Sequence, residues 1–109
     1  MTSLPPGSPP QEPTHQAARA IPHGALEHLL TQLRSFQDSR LEASVRGRFC
    51  YVYYAGGPLC RLGYRGQLEE WDFAIYKYST QRYGELELAP SRDTVFNCVD
   101  LALHAYDFR

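Results

Sequence analysis

The sequence predicts an α+β fold in two layers, ordered α-β-β-β-β-α, with an antiparallel four-stranded meander and both helices packed on one face. Three observations carry this. The stretch 47–83 holds seven of the eight tyrosines and the only tryptophan, in short runs broken by glycines and polar turns, which is the composition of consecutive half-buried strands. Within it, residues 71–78 alternate, Trp71, Phe73 and Ile75 to one side and Asp72, Ala74, Tyr76 and Tyr78 to the other, the period of a strand with one covered face. On either flank, apolar residues recur at helical spacing, and each such stripe needs a partner surface.

Residues 1–22 carry six of the eight prolines among Ser, Thr, Gln and Gly. Such a stretch buries too little apolar area to offset its chain entropy, so a disordered Pro-rich tail is expected over 1–22, ahead of a single domain over 23–109. A proline-rich ligand for a partner domain is the functional alternative for the tail. Helix 1 is predicted from about Pro22 or His23 to Asp38, with Leu26, Leu29, Leu30, Leu33 and Phe36 or Gln37 as its apolar stripe. Strand 1 spans roughly 44–54, and Gly56–Gly57 suits the positive φ angles of a two-residue hairpin loop. With that loop Tyr53 faces Cys60, Tyr51 faces Leu62 and Phe49 faces Tyr64, placing Phe49, Tyr51 and Tyr53 on the inner face. Val52, Cys50 and Arg48 then fall outside, opposite Arg61, Gly63 and Arg65. Strand 2 is 58–65, strand 3 is 71–78, and strand 4 is 83–88, pairing Ile75 with Leu86 and Phe73 with Leu88. Ser91 is the predicted N-cap of helix 2, which runs over about 92–106 with Val95, Phe96, Val99, Ala102, Leu103 and Tyr106 inward.

The totals exclude several classes. A net charge of −1 gives no global field toward nucleic acid or membrane, and no apolar run approaches the roughly 20 residues that span a bilayer. The start shows no basic stretch followed by an apolar core, so no secretory signal is expected. Three cysteines, at 50, 60 and 98, are an odd number without CxxC spacing; free thiols in a reducing cytoplasm are the simpler reading. The histidines at 15, 23, 28 and 104 form no HExxH, and neither a metal site nor a cofactor is indicated. The carboxylate pairs Glu69–Glu70 and Glu85/Glu87 show no sign of desolvation, so no general acid and base emerge.

The outer sheet face holds what remains. Arg46, Arg48, Arg61 and Arg65 on strands 1 and 2 and Tyr76 and Tyr78 on strand 3 form a candidate anion- or nucleic-acid-binding face, since guanidinium groups beside aromatic rings hold phosphate and stack bases. Residues 40–82 carry seven basic and four acidic side chains, a local excess too small to decide the matter. Arg48 opposite Arg65 requires an intervening anion, and Asp72 on the next strand can supply it.

The segments GRFCYV at 47–52, PLCRLGYRG at 58–66 and WDFAIYKYSTQRY at 71–83 resemble a set of small uncharacterised bacterial proteins whose last segment reads W-x-F-A-x-Y-x-Y-S-x-x-R-Y. The resemblance covers about 60 residues by that motif, implies a closing helix like that at 92–106, and brings no activity, cofactor or partner. The α-β-β-β-α order is also similar to double-stranded-RNA-binding domains, but the basic cluster at the start of their last helix is replaced here by Ser91-Arg92-Asp93-Thr94.

The sequence therefore points to a small non-enzymatic domain that binds a protein partner through the open face or edge of its sheet. A nucleic-acid-binding face is the alternative, and a thiol enzyme with Cys50 as nucleophile, near Arg48 and Arg61, is the third reading. No membrane partner is expected, and the free edge of strand 1 offers pairing with a second copy of the chain.

Overall fold

The structure, a computed structural model, describes residues 20–87 and 89–108. It is an α+β protein in which two helices cover one face of an antiparallel sheet. The order is α1 (His23–Arg34), β1 (Leu41–Arg46), β2 (Phe49–Tyr54), β3 (Gly57–Tyr64), β4 (Trp71–Lys77), β5 (Arg82–Gly84), β6 (Arg92–Asp93) and α2 (Val95–Ala105). The sheet runs β1-β2-β3-β4-β5 as a meander, and β6 pairs with β4. Of the Pro-rich segment, residues 1–19 lie outside the described residues, whereas Ile21 packs against the core and Pro22 precedes α1.

The predicted first strand is two strands. Gly47, at φ 58°, opens a two-residue loop with Arg48, and Arg46 pairs with Phe49 across it. A glycine in the first loop position with positive φ matches the twist of the flanking strands. The next hairpin differs from expectation by one residue: its loop is Ala55–Gly56, both at positive φ (52° and 88°), with Tyr54 opposite Gly57. A bulge follows. Tyr53 pairs with Pro58 and Val52 with Cys60, so Leu59 has no partner, and Leu59 and Cys60 are both buried. Such an insertion shifts the register by one residue, which exchanges the faces of a strand. From there Cys50 lies opposite Leu62 and Tyr51 opposite Arg61. The expected inner placement of Phe49, Tyr51 and Tyr53 is thereby corrected: Cys50, Val52 and Tyr54 are the buried residues of β2.

β4 keeps its predicted faces, with Trp71, Phe73 and Ile75 buried. Its far edge is shared. Ile75, Tyr76 and Lys77 pair with Gly84, Tyr83 and Arg82 of β5, while Trp71 and Asp72 pair with Asp93 and Arg92 of β6. The predicted fourth strand ends early: Glu85, Leu86 and Glu87 leave the sheet, and the Phe73 amide donates to the Ser91 carbonyl instead. Leu88, the expected partner of Phe73, lies outside the described residues. The N-cap of α2 is Thr94, not Ser91; its hydroxyl accepts from the Asn97 amide at 3.1 Å, and Asp93 accepts from both Thr94 and Asn97. Two rungs of backbone pairing hold 92–93 in strand form, so the helix starts after them.

The core lies between sheet and helices. Ala25, Leu29 and Leu33 of α1 and Val95, Cys98, Val99, Ala102 and Leu103 of α2 meet Cys50, Val52, Leu59, Cys60, Leu62, Trp71, Phe73 and Ile75. No charged or polar residue is buried among the described residues. Phe36, just past α1, stacks on Phe96 of α2 at 4.5 Å.

Candidate functional site

Each outward-facing position follows from β-strand alternation. β2 presents Phe49, Tyr51 and Tyr53, β3 presents Arg61 and Gly63, β4 presents Asp72, Ala74 and Tyr76, and β5 presents Tyr83. The rings form a connected array. Phe49 and Tyr51 are 6.3 Å apart, Tyr51 and Tyr83 5.7 Å, Tyr83 and Tyr76 5.1 Å, and Tyr76 and Tyr78 4.9 Å, the last three edge to face. That geometry sets the positive rim of one ring against the negative face of the next. Burial among these rings pushes the Tyr83 phenol up to about 12.

Guanidinium groups are threaded through the array. Arg61 lies 4.7 Å from the Phe49 ring and 5.2 Å from the Tyr83 ring, and Arg48 lies 4.3 Å from the Phe49 ring. Among the described residues Arg61 has no carboxylate partner; its charge is balanced by ring faces alone. Arg46 lies 5.6 Å from the Tyr51 ring, likewise with no carboxylate.

Beside this array Asp72 gathers three arginines: Arg48 at 3.2 Å, Arg65 at 3.3 Å and Arg92 at 3.5 Å. Arg48 also donates to the Tyr64 carbonyl. Gly63 makes room for this. A Cβ there would stand 2.8 Å from Arg48 Nη1 and 3.1 Å from both Asp72 Cβ and Phe49 Cε1. With Gly63 and Ala74 small, the sheet face dips into a groove of about 360 Å³ between Phe49, Arg61, Tyr83 and Arg92.

Of the six residues singled out from the sequence, Arg48 and Arg61 line the groove, Arg65 meets it through Asp72, Tyr76 packs against Tyr83 on its rim, and Arg46 lies farther out against the Tyr51 ring. Tyr78 sits apart. It lies beyond the end of β4, donates to the Pro58 carbonyl at 2.6 Å and packs against Tyr106. The residues that sequence reasoning missed are Phe49, Tyr51 and Tyr83, each facing outward against its expected role or without an assigned one, and Arg92, assigned to a helix. Gly63 was the available signal: a glycine inside a strand marks a close approach.

Cys50 is not on this face. It is fully buried on the inner side, and burial pushes its thiol up to about 12; Cys98 is raised as far, by burial and then by the Asp93 charge, and Cys60 is raised by burial too. The expected placement of Cys50 on the outer face beside Arg48 and Arg61 is thereby corrected, and burial disfavours its thiolate. Glu85 and Glu87, within the predicted strand 4, are off the sheet, although Glu85 reaches the groove rim. Among the described residues no three metal-ligating side chains cluster, and no helix is long and apolar enough to cross a membrane. Comparisons with protein-family models, curated proteins and solved structures return no match for the chain.

Proposed function

We propose that this protein is a non-enzymatic binding domain whose outer sheet face takes single-stranded nucleic acid. The observation that carries the reading is Arg61: a cation without a carboxylate, held between two aromatic rings on the floor of an open groove. A phosphate supplies the missing anion, and the adjoining rings of Tyr51, Tyr83 and Tyr76 offer π faces on which bases stack. An antiparallel sheet bearing aromatic and cationic side chains suits unpaired strands, whose bases are free to turn outward. Asp72 tempers the field by neutralising part of the Arg48, Arg65 and Arg92 charge, which favours a short, salt-sensitive contact. The free thiols fit a reducing compartment, the cytoplasm, and a bacterial source rests on the motif resemblance.

The test is binding of single-stranded DNA and RNA oligonucleotides across a salt series. Affinity is expected to fall linearly on a log–log plot, with a slope of roughly 0.7 per phosphate contacted. Arg61→Ala lowers the slope, and Tyr83→Ala weakens binding by about 1–3 kcal/mol. An absence of binding at low salt, or binding indifferent to Arg61→Ala, overturns the reading.

A further inference from the structure

β1 is an open edge. It pairs with β2 on one side, and no described strand lies on the other. The direction of its amides is fixed. The Arg40 carbonyl accepts from the Ala55 amide at 2.8 Å, and Arg46 closes the hairpin opposite Phe49. Even-numbered residues of β1 thus turn their amides toward β2, and alternation turns those of Ala43 and Val45 to the open edge. A row of unpaired N–H and C=O groups is a template for another strand.

The side chains say which strand. Glu42 and Arg46 project from the outer face, are exposed, and have no ion-pair partner among the described residues. They lie symmetrically about Ser44 and carry opposite charge. We infer that two copies of this chain pair their β1 strands antiparallel about a two-fold axis at Ser44. In that register Glu42 of each copy faces Arg46 of the other in a non-hydrogen-bonded pair, the closer kind of cross-strand neighbour, and opposite charges there attract. Ala43 of each copy faces Val45 of the other and exchanges backbone hydrogen bonds with it. An axis normal to the sheet keeps inner residues on the inner side, so opposed residues have numbers of equal parity. Moving the axis to Ala43 or Val45 leaves Glu42 or Arg46 opposite Ser44. The Ser44 axis pairs both charges.

The inner side of β1 agrees. Val45 is 40% exposed, beyond the cover of the helices. An apolar groove of about 510 Å³ runs between α1 and β1, lined by Leu30, Leu33, Leu41 and Ala43. Val45 of the second copy, opposite Ala43, stands at the mouth of that groove, so each copy covers the other's exposed valine and groove together. The inference is independent of the outer-face ligand.

Sedimentation of the full chain over a range of concentrations tests it. Expected is a monomer–dimer equilibrium in which Glu42→Arg or Arg46→Glu alone returns the mass to that of the monomer, while the two together restore the dimer. Ala43→Pro is the second variant: the amide it removes faces the open edge, so the circular dichroism spectrum is kept and the dimer is lost. A wild-type monomer at all concentrations overturns the inference. So does a dimer indifferent to the single charge reversals or to Ala43→Pro.

Discussion

The same strands build both faces of the sheet, and the two faces obey different rules. Inward, β2 contributes Cys50, Val52 and Tyr54; outward, it contributes Phe49, Tyr51 and Tyr53. Three of the four rings of β2 lie outside, and only Tyr54 joins the smaller Cys50 and Val52 inside. Ring area favours burial, but a tyrosine hydroxyl also needs a partner or water. The layer between sheet and helices is apolar, and its two large polar-tipped rings each reach an acceptor. Trp71 donates to the Leu68 carbonyl at 2.8 Å, and Tyr54 to Asp38 at 3.0 Å. The outer face, open to water, carries Tyr51, Tyr76 and Tyr83, whose hydroxyls have no such partner among the described residues, and sets guanidinium groups against the rings.

The largest effect that separates the faces is a paired truncation. Trp71→Ala, on the inner side, is expected to cost about 3–5 kcal/mol. Tyr51→Ala, outside, loses cross-strand ring contacts and is expected to cost about 1 kcal/mol. Urea unfolding midpoints measure both, and equal losses would erase the distinction.

Alkaline titration comes next. Cys50 and Cys98 are raised to about 12 from an ordinary 9.0, and Tyr83 to about 12 from 10.0. A group whose folded pKa is raised contributes stability that is whole below its unfolded pKa and is lost as pH climbs through the folded value. Stability should therefore hold to about pH 9 and decline progressively to about pH 12, the thiols first and Tyr83 from about pH 10. In the native state below that range, an alkylating reagent should leave all three cysteines unmodified, and unfolding should expose them together. A single fast thiol would contradict the inner placement of Cys50.

A smaller effect probes the outer charges. Asp72→Asn removes the shared counter-ion of three partly exposed arginines. The expected loss is about 1–2 kcal/mol, between an exposed pair and a buried one, with oligonucleotide affinity rising as the groove gains positive charge. The smallest change is a gain. Ala55 holds φ 52° in the β2–β3 loop, and Ala55→Gly should stabilise by about 0.5–1 kcal/mol by relieving that conformation. A lower unfolding midpoint in the glycine variant would count against the loop.

What could be read from the sequence followed from how many physical signals each segment carried. β4 alternates cleanly between apolar and polar, and its faces were legible. So were Leu29 and Leu33 of α1 and most of the α2 stripe, because a helical period leaves little choice. β2 reads Phe-Cys-Tyr-Val-Tyr-Tyr, apolar in both alternating sets, and hydrophobicity alone cannot orient it. The bulge at Leu59 and the positive φ of Ala55 decide, and alternation encodes neither. The same ambiguity hid the core of the candidate site, since Phe49 and Tyr51 were assigned inward. The arginines were legible because a buried guanidinium is too costly to expect. Their convergence on Asp72 was anticipated as a need for an anion, but Arg92 was not, because a two-residue strand leaves no period to detect.

The Phe36–Phe96 stack has a consequence for how the chain acquires its shape. It joins segments about 60 residues apart, whereas β1 to β4 are joined by successive short connections and pair with neighbours in the chain. Hairpins of this kind close in microseconds, and long loops pay their entropy before their contacts repay it. The meander should form first, with its inner face still wet, and the terminal helices should dock on each other and on the sheet in one late step. Weakening the stack by Phe96→Ala would then appear chiefly as faster unfolding, with the folding rate little changed.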